Sequence, residues 1–364
     1  MFENIYKGKK VLVTGHTGFK GSWLCAWLLS LDAEVTGYSF DVPTQPANFE
    51  ILALARRMDH VQGDVRNKTS LQKTLKKIQP EIVFHLAAQS LVRKSYIDPV
   101  LTIETNTLGT LNLLDCLRAQ SSVQAVVLIT SDKCYENAEW LWGYRENDRL
   151  GGKDPYSASK ACAELITSAY MESFFKEMGP NIATARAGNV IGGGDWASDR
   201  IVPDCVRAWS GGKPVVIRNP LATRPWQHVL EPLSGYLTLG QKLYQDSDEV
   251  KNQAFNFGPQ AKLNQTVAGL IAEMVQNWPG AEYKIQQATD SLKRESTLLK
   301  LNCDKALQLL LWNPVLNFKE TVSMTGQWYQ AFYDKGPSSA AEITSRQIQE
   351  YLEKAEKLNL IWTR

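Results

Sequence analysis

Short β-branched and apolar runs alternate along the first half of the chain with longer stretches whose apolar residues recur every three or four positions. That is the pattern of repeated β-α-β units and hence of a parallel sheet. Residues 10–14 predict a first strand and 19–31 its helix, 34–39 a second strand, Val61 the centre of a third, and 81–86 a fourth. A helix over 99–119 leads to a fifth strand at 125–130, and a helix over 156–178 to a sixth at 182–187. The fold class expected is α/β, a doubly wound parallel sheet of Rossmann type over residues 1–188. Past residue 187, Gly192, Gly193, Gly194, Gly211, Gly212 and several prolines punctuate shorter elements. A smaller mixed α/β C-terminal domain is expected over 189–335, returning in places to the sheet and carrying the substrate. The stretch 335–341 reads as a linker into a charged helical tail over 336–364.

A chain of 364 residues can bury a large core. Its 40 basic and 38 acidic side chains leave a net charge of +2, which gives no footprint for nucleic acid or a membrane surface and leaves room for a small phosphorylated ligand. No apolar run approaches the roughly 20 residues that span a bilayer, and no apolar signal region precedes the first strand. A cytoplasmic protein is expected. The six cysteines, at 25, 116, 134, 162, 205 and 303, show no Cys-x-x-Cys spacing and sit mostly in apolar or helical pattern. They read as reduced core thiols, so neither a metal nor a disulfide framework is expected.

Gly15-His16-Thr17-Gly18-Phe19-Lys20-Gly21 follows an apolar strand and opens a helix. Glycines so placed permit a tight turn and bring backbone N–H groups close to a pyrophosphate at the helix N-terminus. Gly15, Thr17, Gly18, Phe19, Lys20 and Gly21 are therefore candidate dinucleotide contacts, although His16 and Lys20, taken singly, read as solvated turn residues. At the end of the second strand Ser39-Phe40-Asp41 offers a hydroxyl and a carboxylate with no basic neighbour, which favours NAD over NADP. Either Ser39 or Asp41 is then the ribose partner. Asp64 and Val65 are candidates for the adenine, and Leu86, Ala87, Ala88 and Gln89 for the cofactor's flank, unless they are loop packing.

The run Thr130-Ser131-Asp132-Lys133-Cys134-Tyr135 after the fifth strand, with Tyr156-Ser157-Ala158-Ser159-Lys160 beyond it, gathers a hydroxyl, a carboxylate, an amine and a Tyr/Lys pair. This is more acid/base equipment than hydride transfer requires. A phenol with an ordinary pKa of about 10 needs a nearby cation to act as a base near neutrality. The bland reading of Tyr156 and Lys160 is a surface pair four apart on one helix.

The glycine loop, Leu86-Ala87-Ala88, Asn106-x-x-Gly109-Thr110, Tyr156-x-x-x-Lys160 and Arg224-Pro225-Trp226-Gln227-His228-Val229 together resemble the extended short-chain dehydrogenase/reductase family of nucleotide-sugar enzymes. The resemblance covers residue 8 to about 335. It implies that Tyr156 removes a proton from a sugar hydroxyl and that Lys160 lowers the tyrosine's pKa and holds the nicotinamide ribose. Ser131-Asp132-Lys133 resembles the 4,6-dehydratase branch, in the version that acts on cytidine diphosphate hexoses; the branch acting on dTDP-hexoses has a glutamate at the third place. There Lys133 is implied as the base at C5, Asp132 as the acid to the departing 6-hydroxyl, and Ser131 as the partner of O4. Thr130 is implied beside the cofactor. Asn189 and Arg224 are implied on the substrate diphosphate, with Ser90, Trp196, Arg200, Arg218 and His228 as further candidate substrate contacts. The two long helices carry more apolar residues than one buried face needs, among them Leu108, Leu111, Leu114, Leu165, Ile166 and Phe174, and the family's habit implies a homodimer through them. A 4-epimerase or reductase would need Tyr156 and Lys160 but not Asp132 and Lys133. A non-catalytic nucleotide-binding regulator would be free to lose Tyr156.

Overall fold

The computed structural model describes residues 1–217, 219–260, 265–286 and 298–364. Its centre is a seven-stranded sheet of β1 (Lys10–Thr14), β2 (Glu34–Ser39), β3 (Asp59–Gln62), β4 (Ile82–His85), β5 (Ala125–Ile129), β6 (Asn181–Ala187) and a last strand, Gln253–Phe257. Every neighbouring pair is parallel. Across the sheet the order is Gln253–Phe257, β6, β5, β4, β1, β2, β3. The chain therefore winds outward from β1 to β3, crosses back, and winds the other way from β4. The crevice beyond β1 and β4 is the topological switch point, where open α/β sheets take their ligands.

Alternation divides each strand between two cores. Val11, Val13, Ile82, Phe84, Ala125 and Val127 join one, and Leu12, Val83, Val126 and Leu128 the other. Helices cover both faces, which is why these strands read as near-continuous apolar runs. The helix expected over 99–119 runs to Leu117 with a π turn at Glu104–Leu108, and that expected over 156–178 is Pro155–Tyr170 followed by a π turn at Met171–Phe175. Asp154 caps the latter by accepting from Ser157 N at 2.9 Å, and Pro155 takes the first helical position.

After β6 the described residues form three two-stranded ladders, pairing Val190–Ile191 with Gln227–His228, Thr223–Arg224 with Gln265–Thr266, and Val215–Ile217 with Tyr283–Ile285. Gln253–Phe257 then returns to the edge of the main sheet beside β6. Cys25, Cys116, Cys134 and Cys205 are buried and Cys162 is exposed, so that thiol departs from the core reading; all six are unpaired.

The stretch 335–341 is not a linker. Only Gly336 separates the helices Phe318–Lys335 and Pro337–Lys357, at φ 86° and ψ −178°, a conformation open essentially to glycine. The two helices form an antiparallel hairpin, with Trp328 Nε1 donating to Thr344 Oγ1 at 2.7 Å and Gln347 Nε2 to the Met324 carbonyl at 2.6 Å. The tail's charges mask an apolar face. Ile343, Ile348, Tyr351 and Leu352 are buried, and Tyr351 meets Trp27 edge-on and stacks on Trp362.

Candidate active site

The glycine loop is as tight as its sequence suggests. Gly15 has φ 73°, and a Cβ there would lie 2.7 Å from Ala87 N; a Cβ on Gly21 would lie 2.2 Å from the Gly15 carbonyl oxygen. The following helix has Gly18 as its N-cap and no side-chain cap, which leaves its first amides to a ligand. This is a cradle that fits a dinucleotide pyrophosphate. Thr17 is held by donating to the Asp41 carbonyl at 2.6 Å.

His16 is not a solvated turn residue. It is fully buried, with Nδ1 2.8 Å from Ser39 Oγ and Nε2 2.7 Å from His60 Nδ1. It occupies space that Gly37 vacates, since a Cβ there would fall 2.2 Å from His16 Cγ. Burial, then His60, push its pKa down to about 3, so the ring is neutral. Lys20 is also not a simple surface residue. Its ammonium lies among Arg200, Lys160, Asp132 and Asp195, and burial followed by the two cations brings it down to about 8.

The cofactor candidates divide. Ser39 stands at the ribose end of β2 but is already engaged by His16 and by Thr17 N, while Asp41 is exposed. Asp64 grips Arg66, with Oδ2 2.6 Å from Nη2. Val65 packs where a Cβ on Gly109 would approach within 2.7 Å. Leu86 and Ala87 lie against Gly15, and Ala88 is half-buried beside them. The Gln89 side chain bonds Thr102, the Leu91 carbonyl and Leu91 N, so it fixes its own loop.

At the end of β5 the acid/base candidates do converge. Ser131 Oγ donates to Asp132 Oδ1 at 2.9 Å and accepts from Lys133 N at 3.2 Å. Burial raises the Asp132 carboxyl above its ordinary value, opposed by Lys133, Ser131, Arg224 and Lys20. An upward shift favours the protonated form that general acid work needs. Tyr156 is 7% exposed. Burial pushes its phenol up to about 12, with Ser131 and Arg200 pulling the other way. Lys160, also buried, comes down to about 8 through burial, against the charge of Glu164; Nζ approaches the Ile129 carbonyl at 3.4 Å. Thr130 bonds Glu164.

On the opposite wall Arg200 Nη1 pairs with Asp195 Oδ2 at 2.8 Å, and its Nη2 reaches Ser90 Oγ at 3.3 Å. Arg224 is buried beside Asp132, and the Asn189 carbonyl accepts from Gln227 N at 3.0 Å. Trp196 is packing: its ring lies against Trp328, Tyr329 and Phe332. His228 is fully buried, edge-on to Trp23, with Leu230 N donating to its Nδ1. Arg218 lies outside the described residues. Sequence reasoning missed Asp195 and the buried pair Glu164 and Arg186; the four-residue step from Tyr156 through Lys160 to Glu164 was the available signal.

Residues 12–325 match the family described as GDP-mannose 4,6 dehydratase. The chain belongs to that family. Within this GDP-mannose 4,6 dehydratase setting, the chain is 45% identical over 355 residues to the CDP-glucose 4,6-dehydratase of Salmonella typhimurium, covering 96% of this chain and 98% of the relative. Among solved structures, the dTDP-glucose 4,6-dehydratase of Bacillus anthracis in complex with NAD aligns at a TM-score of 0.73 and 20% identity, over 89% of this chain and 97% of that one. The UDP-glucuronic acid 4-epimerase of Bacillus cereus in complex with UDP-glucuronic acid and NAD aligns at 0.75 and 23%, over 89% and 100%. These two likenesses establish the fold, and the Rossmann-type sheet expected from the sequence is borne out. Among the described residues no helix is long and apolar enough to cross a membrane.

Proposed function

We propose that this chain is an NAD-dependent hydro-lyase that converts CDP-glucose to CDP-4-keto-6-deoxyglucose. The observation that carries the reading is the 45% identity to a CDP-glucose 4,6-dehydratase over nearly the whole of both chains. The convergence of Ser131, Asp132 and Lys133 with Tyr156 supports it. NAD fits the glycine cradle, held by residues 15–21, with Ser39 or Asp41 at the ribose and Asp64 and Val65 at the adenine. When bound it takes a hydride from the sugar and returns one. Tyr156 accepts the proton of the 4-hydroxyl, while Ser131 hydrogen-bonds O4 and steadies the charge there. Once C4 is a ketone the C5 proton is acidic, and Lys133 removes it, then returns a proton to C5 as hydride adds at C6. Asp132 gives its proton to the departing 6-hydroxyl. Asn189, Arg224 and Arg200 hold the substrate diphosphate, for which a guanidinium fork is suited, and the substrate wall is assigned to 189–335.

A cytoplasmic homodimer is part of this proposal. Leu108, Leu165 and Phe174 are exposed on the two long helices, at 45%, 58% and 43%. Leu114 is buried in the subunit core and Ile166 packs against it, so these two serve the fold.

The decisive experiment incubates the protein with NAD and CDP-, dTDP-, GDP- or UDP-hexoses, then looks by mass spectrometry for loss of one water and by alkaline absorbance for a 4-keto sugar. Water loss from CDP-glucose is expected. Conversion of a different nucleotide sugar would reassign the base pocket, and an isomer without water loss would replace the reading with a 4-epimerase.

A further inference from the structure

One turn beyond Lys160 on the same helix stands Glu164, so Tyr156, Lys160 and Glu164 lie four apart along one face. Its side chain is 3% exposed and that of Arg186, on β6, is 4% exposed. Each carboxylate oxygen receives two donors. Oε1 accepts from Thr130 Oγ1 and from Arg186 Nε at 2.9 Å; Oε2 accepts from Thr184 Oγ1 and Arg186 Nη2, both at 2.8 Å. Burial pushes the Glu164 carboxyl up, but the Arg186 charge and these bonds hold it below its ordinary value, so it is ionised. Arg186 continues the network, with Nη1 donating to Tyr135 Oη at 2.7 Å and to the Glu146 carbonyl at 3.0 Å. Tyr135 in turn donates to Asn256 Oδ1 at 2.8 Å. The pair thus joins the helix of Tyr156 and Lys160 to the end of β5, to β6 and to the strand Gln253–Phe257.

Apolar residues of similar volume often stabilise a core as well as a buried ion pair does, so stability alone is a weak account of this one. Its neighbour Lys160 supplies another. Charged and titratable groups face Lys160 from every side: His85 on β4, Cys134 after β5, Lys20 on the first helix, and Tyr156 and Glu164 on its own helix. Burial brings His85 down to about 3 and raises Cys134 and Tyr156, so all three are uncharged near neutrality, and Lys20 is a cation. Glu164 is the negative charge in this set.

We propose that Glu164, with Arg186 as its counter-charge, is a positioning residue of the reaction: it anchors the helix of Tyr156 and Lys160 to the strand end that carries Ser131, and it keeps Lys160 an ammonium. This rests on the roles given to Tyr156 and Lys160 above. Without Glu164, the buried Arg186 charge would stand uncompensated, and Lys160, already reluctant to hold its proton, would lose the carboxylate that favours its charged form.

The test compares the full-length protein with Glu164→Gln, Glu164→Asp and the double variant Glu164→Gln/Arg186→Met. Lys160 is titrated by competitive acetic anhydride labelling read by peptide mass spectrometry, and kcat for CDP-glucose is followed against pH. In Glu164→Gln the Lys160 midpoint falls by about one pH unit, as expected for losing one nearby charge in a partly shielded site. The alkaline limb of kcat moves down with it, costing about fivefold at the wild-type midpoint and approaching about tenfold above it, while KM holds. Glu164→Asp restores the midpoint, and the double variant lies between Glu164→Gln and wild type. An unmoved Lys160 midpoint in Glu164→Gln overturns the proposal even if activity falls. If that variant does not fold, the neutral double variant decides: a lowered midpoint supports the coupling and an unchanged one removes it. Should the wild type dehydrate no nucleotide hexose, the functional reading fails by itself, while the labelling still reports on Glu164.

Discussion

Glu231, on the helix Leu230–Tyr244, is buried at the joint between that helix and the C-terminal hairpin. Its carboxylate accepts from Val315 N at 2.9 Å, Leu316 N at 2.6 Å and Tyr351 Oη at 2.8 Å. Burial still outweighs these bonds and raises its pKa from 4.5 to about 7. The folded chain therefore holds this proton more tightly than the unfolded chain. Stability from Glu231 is fully present below pH 4.5 and is lost as pH rises to 7. At about 1.4 kcal/mol per pH unit, ionisation in place costs about 3 kcal/mol. His16, His85 and His228, each brought down to about 3 by burial, act oppositely: the unfolded state binds their protons between pH 3 and 6.5, so their share of stability grows with pH. The raw wild-type profile mixes the two effects. Glu231→Gln separates them, because the amide oxygen still accepts from the Val315 and Leu316 amides. Urea unfolding of both proteins at about pH 5 and about pH 8 should show the variant gaining about 2.5 kcal/mol on wild type across the interval. Parallel profiles would refute the argument and mean that Glu231 is ionised throughout.

Asp132→Asn keeps the acceptor for Ser131 but removes the proton to be donated, so kcat for water loss should fall about 100- to 10,000-fold with unchanged thermal unfolding; a wild-type rate would remove Asp132 from the chemistry. Gly21→Ala drives a methyl to within 2.2 Å of the Gly15 carbonyl, and calorimetry should show NAD binding weakened by at least about tenfold, at a cost of about 1.4 kcal/mol; full affinity would place the phosphates elsewhere. Leu165→Glu puts a charge on a side chain that is 58% exposed, and sedimentation should show a monomer with an unaltered melting temperature; an intact dimer would move the interface to another face.

The main sheet was legible because short β-branched apolar runs and glycine turns are local signals, and the edges of β1 and β2 coincide with the sequence reading. The catalytic candidates were legible for a related reason, since successive strand ends of a parallel sheet meet at one edge. What failed involved side-chain partners and packing that the local pattern does not announce. His16 looked like a turn residue because nothing nearby announces that Gly37, across the sheet, makes room for its ring. Gln89 looked available until Thr102 and its own loop took its amide. The segment 335–341 has the composition of a linker, yet one glycine suffices to reverse the chain, and the apolar face of the helix after it is visible only once Trp27 and Trp328 are seen beneath it.

The loop Gly192–Arg200 depends for its shape on residues far ahead of it. A Cβ on Gly193 would lie 1.9 Å from Trp328 Cγ, and Asp195 N donates at 3.1 Å to Tyr329 Oη, 134 positions later. During synthesis, every residue given a part in the chemistry will have left the ribosome well before this buttress exists. A nascent chain can complete its sheet early, but it should acquire an ordered sugar-nucleotide wall only after residue 329 has emerged and docked. Competence in this protein therefore arrives last and all at once, and mutations in the hairpin should be felt as slow maturation of the enzyme before they are felt as lost affinity.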